Sequence, residues 1–326
     1  MKKLLWKDWI YEKWVILLVT FILLTSSFEM FSKYIENLKI PGGKSYVYIN
    51  FGFPKYFSET DSYVSIILII FIVFIIGFRQ NLNSQQEIIT AMPYSRKEII
   101  ISKWLESIIC FMVPLVINFI ALNIMYFTNY NKMKIYNNYT DFLMWMILGI
   151  FTYIFVITFV LFVDLFFGNK IVGAFFSGMV LFMWSTGRGI LAEYLNIYGI
   201  NIGYDNPNNG IYLLPYYNIF YGKDCIYRIL ILIIFTILFF KLMVKLNDMK
   251  NIENAQNINV YPKFSLALKL FASVVFTIII SDIVGDAFFR LNTAADNIAT
   301  FIFTVLCFVI LYLGIGKTVK RVDGEA

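Results

Sequence analysis

The chain has 326 residues, of which 60% are hydrophobic, 19% aromatic and only 15% charged, and its mean hydropathy is +0.72. That is more apolar surface than a water-soluble core of this length can hide, which places the chain among all-α integral membrane proteins. The formal net charge of +6 is scattered at the ends of apolar runs, unlike a nucleic-acid face, and the absence of histidine excludes His-based triads, metal sites and proton shuttles.

The N-terminus, MKKLLWKDWIYEKW, sets Trp6, Trp9, Ile10 and Trp14 among Lys2, Lys3, Lys7 and Lys13. This is the pattern of an amphipathic helix lying in the headgroup region. No small-residue cleavage site follows the first apolar run, so that run is expected to stay as an anchor.

A helix needs about 20 apolar residues to cross the hydrocarbon layer. Eight stretches meet or approach that length, at roughly 15–31, 62–78, 108–127, 142–163, 171–187, 225–246, 270–289 and 298–316. Lys and Arg collect on the cytoplasmic side. With the N-terminus inside, 17 of the 27 Lys and Arg fall in residues 1–14, 79–107, 164–170, 241–269 and 317–326. Both termini are therefore expected in the cytoplasm. No linker rich in Pro and Gly divides the chain, which reads as one membrane domain over 1–326.

Two connections lie on the outer side in this reading. Residues 32–61 have room for a small cap. Residues 188–224 are too apolar for an ordinary loop, with LLPYYNIFYG following the turn signal GYDNPNNG, and read as a re-entrant or interfacial element.

The cytoplasmic stretch 79–107 carries two capping-box signatures, Ser84-Gln85-Gln86-Glu87 and Ser95-Arg96-Lys97-Glu98. Around the second, Tyr94 and Ile99 are placed as a hydrophobic staple, and Pro93 disfavours helix at Met92 and stops the segment before it. The expected result is a short helix, a Pro-containing elbow, and a helix that continues through Trp104 into the third span. Caps and positive residues also suit any cytoplasmic loop, so the pattern leaves a bland reading and a force-bearing one open.

The stretch QQEIITAMPYSRKEIIISKWLES resembles the first cytoplasmic loop of ABC-2 type transporter permeases. The matching positions are Glu87, Ile88, Met92, Pro93, Ser95, Arg96, Glu98 and Lys103; Met92 replaces the more usual Leu. The N-terminal amphipathic helix, the FGNK turn at 167–170 and the long outer segment before the sixth span are also similar to that family. The likeness covers residues 1–246 as a six-span core, from which two further C-terminal spans depart. It implies that Glu87, Ile88, Met92, Pro93, Tyr94, Ser95, Arg96, Lys97 and Glu98 form a coupling helix docked on a nucleotide-binding subunit. The chain has no phosphate-binding GxxxxGK[ST] loop, so ATP and Mg belong to that separate ATPase subunit and this chain is not itself the enzyme.

In the third span Pro114 removes one backbone donor and is a candidate kink, while Asn118 and Asn123 are expected to bond to neighbouring helices. In the seventh, Asp282, Asp286 and Arg290 recur every four residues on one face, as structural pairing or as part of a pathway. Cys110, Cys225 and Cys307 have no paired spacing.

The reading that results is the membrane permease subunit of a transporter in a bacterial plasma membrane. It pairs with itself or a similar permease, is driven by ATPase subunits and exports an amphipathic peptide, drug or lipid. The rival is an ion-coupled secondary transporter, for which no inverted repeat is visible; an intramembrane enzyme using Asp282 and Asp286 is a third.

Overall fold

The computed structural model describes residues 2–37, 65, 67–75, 95–133, 139–167, 172–181, 223–248, 269–270, 273–274, 277, 280 and 302–313, with the backbone alone for residues 2–12, 36–37, 141 and 223–225. Nearly all of these residues are helical. Two compact units are present, Met1–Phe162 with Asn208–Asp248, and Val163–Pro207 with Met249–Ala326.

Four long helices organise the first unit: α1 (Lys2–Asn37), α2 (Arg96–Thr128), α3 (Tyr139–Asp164) and α4 (Lys223–Asp248). Each contains a stretch long and apolar enough to cross a membrane. They account for the expected spans at 15–31, 108–127, 142–163 and 225–246. Of the other four, residues 67–75, Val172–Leu181 and Ile302–Leu313 are shorter apolar helices, and most of 270–289 lies outside the described residues.

The amphipathic N-terminal segment and the first span form one uninterrupted helix of 36 residues, Lys2–Asn37. Neither Gly nor Pro interrupts residues 2–37, so nothing local stops propagation. At a rise of 1.5 Å per residue the helix is about 54 Å long and overruns a hydrocarbon layer of about 30 Å.

The burial pattern on α1 shows what kind of solvent the fold is built for. Ile16, Val19, Leu23, Ser27, Phe31 and Tyr34 are buried at spacings of three and four, one helical stripe. The opposite face exposes Leu17, Leu18, Phe21 and Phe28. A helix in water would carry charges there; an apolar outer face fits lipid. The same division recurs on α2, which buries Phe111, Leu115, Phe119 and Leu122 while exposing Val113, Val116, Ile120 and Ile124.

α2 is the hub. α1 packs along it, and α4 packs on it as well. With α3 it makes an antiparallel hairpin, in which Trp104 meets Thr158, Phe111 meets Tyr153, Phe119 meets Trp145 and Tyr126 stacks on Phe142, so that one partner number rises as the other falls. The turn between them starts where the Asn129 N–H donates to the Met125 carbonyl at 3.2 Å, followed by a short helix at Tyr130–Met133. Ring pairs of this type contribute about 0.5–1.5 kcal/mol each beyond their area. In the second unit, Phe167 lies against Phe176 with centroids 5.0 Å apart.

Gly149 faces Phe119 across the hairpin seam, with room for one more atom. A Cβ there would lie 3.4 Å from Phe119 Cζ and 3.8 Å from Tyr153 Cε2. Gly149→Ala adds an atom at ordinary contact distance and is expected to leave the melting temperature of the detergent-solubilised protein nearly unchanged. Gly149→Leu overfills the seam and is expected to cost about 1–3 kcal/mol, visible as a lowered melting temperature.

Candidate functional site

The force-bearing reading of the sequence rests on how α2 begins. Ser95 is its N-cap, with extended φ −68° and ψ 150°. The Glu98 backbone N–H donates to Ser95 Oγ at 3.2 Å, and the Ser95 backbone N–H donates to Glu98 Oε2 at 2.9 Å. The Ser95 hydroxyl also donates to Glu98 Oε2 at 3.0 Å. The predicted capping box is therefore formed, and it satisfies donors that the first turn otherwise leaves orphaned. Helix continues from Arg96 through Trp104 and on to Thr128, as the sequence implied.

A helix of 33 residues is about 50 Å long, more than a hydrocarbon layer of about 30 Å requires. Ser95, Arg96 and Lys97 are exposed and form its tip. Glu98 lies in the first turn of the helix, before the apolar 108–127 stretch. Its carboxyl is held below the ordinary carboxylate range, first by the Ser95 backbone N–H and then by the Ser95 hydroxyl, both of which favour the charged form.

The tip is tied to the end of α4. Asn247 Nδ2 donates to the Arg96 carbonyl oxygen at 3.0 Å, and Arg96 Nη1 donates to the Asp248 carbonyl at 3.4 Å. The second bond meets one of the C-terminal carbonyls of α4, where a cation is favoured by the helix dipole. Two turns further along, Trp104 lies 4.7 Å from the Phe240 ring and donates its indole N–H to Thr158 Oγ1 at 2.9 Å. Trp104 thus joins α2 to both α3 and α4. The start of α2 and the end of α4 consequently share one side of the membrane, in keeping with the common side that charge counting gives residues 79–107 and 241–269.

Among the sequence-predicted site residues, Ser95, Arg96, Lys97 and Glu98 come together at this tip. Glu87, Ile88, Met92, Pro93 and Tyr94 lie outside the described residues, as do Asp282, Asp286 and Arg290. Pro114 is buried inside α2, and the helix runs on through it. Asn123 bonds as expected: its Nδ2 donates to the Phe119 carbonyl at 2.7 Å and to Met146 Sδ at 3.3 Å, and Tyr139 Oη donates to its Oδ1 at 3.0 Å. Asn118 does not, since neither its Nδ2 nor its Oδ1 has a hydrogen-bond partner among the described residues.

Sequence reasoning missed three participants. Asn247 and Trp104 act across helices more than 50 residues apart, which no local spacing encodes. Glu106 is buried in α2 with Oε2 unpartnered among the described residues. Its signal was an acid one turn before an apolar run, easily taken for part of the loop.

No family model matches the chain, and neither does any curated protein or solved structure.

Ser95→Ala is expected to cost about 1 kcal/mol of cap stability and to speed amide exchange over residues 96–100. Because the Glu98 pKa is lowered on folding, its contribution is complete above the ordinary carboxylate range and is lost as pH falls through the lowered value. Exchange protection of the same amides, measured down a pH series, is expected to persist through the ordinary range and fail below it. In Glu98→Gln that acid transition is expected to vanish.

Proposed function

We propose that this chain is the membrane permease subunit of an ABC-2 type transporter in a bacterial plasma membrane, with both termini in the cytoplasm. The observation that supports this most is the capped, exposed tip at Ser95–Lys97, continuous with a membrane helix and tied through Asn247 to a second one. Helix runs on from that tip to Thr128, so a load applied there acts on α2 directly. Closure of a separate ATPase subunit on ATP presses the tip and shifts α2 and α4 together, a rigid-body transition of the kind packed helices support. A second permease, identical or similar, completes the export path for an amphipathic substrate.

Arg96 and Lys97 present positive charge where the ATPase subunit docks. Their role in this reading is recognition, so rim charges there change the association with the partner more than the fold.

One observation favours a second reading. The Glu106 carboxyl, buried at the edge of the apolar 108–127 stretch with Oε2 unpartnered among the described residues, is the kind of group that ion-coupled transporters use. Transport that survives ATP depletion and follows an ion gradient belongs to that reading.

Lys97→Glu, which leaves the Arg96 bond to α4 in place, is expected to leave membrane insertion and melting temperature intact. Recovery of a nucleotide-binding subunit in detergent pull-downs is expected to fall by more than half. Undiminished recovery overturns the docking assignment, and full transport without any nucleotide-hydrolysing partner overturns the permease reading itself.

A further inference from the structure

A cavity of about 780 Å³ opens between α1 and α2. It falls within the size range of small-molecule sites, about 300–1,000 Å³. Its wall is largely apolar, formed by Phe21, Leu24, Phe28 and Leu122 among others, and two buried polar side chains, Ser27 and Asn118, face it. Asn118 lies near the middle of the 108–127 stretch, at the depth where water is scarcest.

Five polar side chains of the wall, Thr25, Ser27, Glu29, Lys33 and Asn118, differ in how they are satisfied. Thr25 donates its hydroxyl to the Phe21 and Ile22 carbonyls of its own helix. Glu29 and Lys33 pair with each other, so they add no net charge to the wall. Ser27 Oγ and both polar atoms of Asn118 have no partner among the described residues, although Ser27 is 2% and Asn118 0% exposed. A buried amide without partners is costly in an apolar setting, so its presence beside a cavity calls for a functional explanation.

We infer that this cavity binds a neutral amphiphile bearing a carboxamide, its chain along Phe21, Leu24, Phe28 and Leu122 and its amide paired with Asn118 and Ser27. The chemistry follows from the donor and acceptor inventory. The Asn118 side chain offers an N–H donor and a carbonyl acceptor side by side. A carboxamide presents the same pair in reverse and closes two hydrogen bonds with it, while the Ser27 hydroxyl takes or gives a third. An ester-linked lipid has acceptors alone and leaves Asn118 Oδ1 unmatched. The paired Glu29 and Lys33 give no net charge to hold an ionic head. This inference does not rest on the nucleotide-driven reading, because binding requires neither a partner subunit nor ATP.

The test uses the full chain in phospholipid nanodiscs without nucleotide, photolabelled with a diazirine-bearing fatty primary amide or with the matching diazirine hydrocarbon. In the wild type the amide probe is expected to label peptides covering residues 21–33 and 118–125 well above the hydrocarbon probe. In Asn118→Leu, amide labelling is expected to drop about tenfold, equivalent to ~1.4 kcal/mol, with hydrocarbon labelling unchanged. The variant removes an unpaired buried amide, so its melting temperature is expected to stay at or above that of the wild type. Should Asn118→Leu fail to insert, Ser27→Ala takes its place, with a severalfold loss of amide labelling expected. Equal labelling by the two probes marks a groove filled by acyl chains alone and overturns the inference, as does undiminished amide labelling in the folded variant.

Discussion

The contact between the capped start of α2 and the end of α4 is the constraint on which the first unit depends, and the hydrogen bond from the Asn247 amide to the Arg96 carbonyl lies at its outer edge. With it, and with Arg96 reaching the Asp248 carbonyl, the tip of α2 and the tail of α4 are one object. Trp104 repeats the tie two turns deeper through Phe240 and extends it to α3 through Thr158. Motion imposed at the tip is therefore shared among three helices instead of bending one.

The rest of the packing follows from the solvent. In a bilayer every backbone polar group has to be satisfied within the protein, so the long segments are helices. Apolar side chains gain nothing by leaving lipid for protein, and this explains why α1 and α2 expose as many large apolar residues as they bury. What holds the helices together is shape and hydrogen bonding. Gly149 of α3 faces Phe119, the rings of Tyr126 and Phe142 stack, and Asn123 joins α2 to α3 through Tyr139 and Met146. Against that background Asn118 stands apart, a buried polar group in the middle of the apolar 108–127 stretch with no partner among the described residues.

The sequence carried those features whose physics is local. Apolar run length marked the four long spans, because crossing the hydrocarbon fixes a minimum length. The Ser95–Glu98 box was legible to the residue, since both of its hydrogen bonds close within four positions. The sequence marks an amphipathic start and an apolar run without saying how they join, and with neither Gly nor Pro between them α1 runs through both. Asn118 and Asn123 sit five positions apart in similar apolar surroundings and looked alike. Only the placement of α3, which brings Tyr139 and Met146 to one and not the other, tells them apart. The Asn247 tie and the Trp104 junction were invisible for the same reason, being properties of how helices meet.

Membrane sidedness tests the central claim most directly. In a cysteine-free background, Lys97→Cys, Asp248→Cys and Lys132→Cys report the tip of α2, the tail of α4 and the far end of the α2–α3 hairpin when probed with a membrane-impermeant maleimide. The tip and the tail should both be shielded in intact cells and labelled in inverted vesicles, with Lys132→Cys showing the reverse. Labelling of Lys97→Cys from outside intact cells would place the tip beyond reach of any cytoplasmic motor and contradict the account.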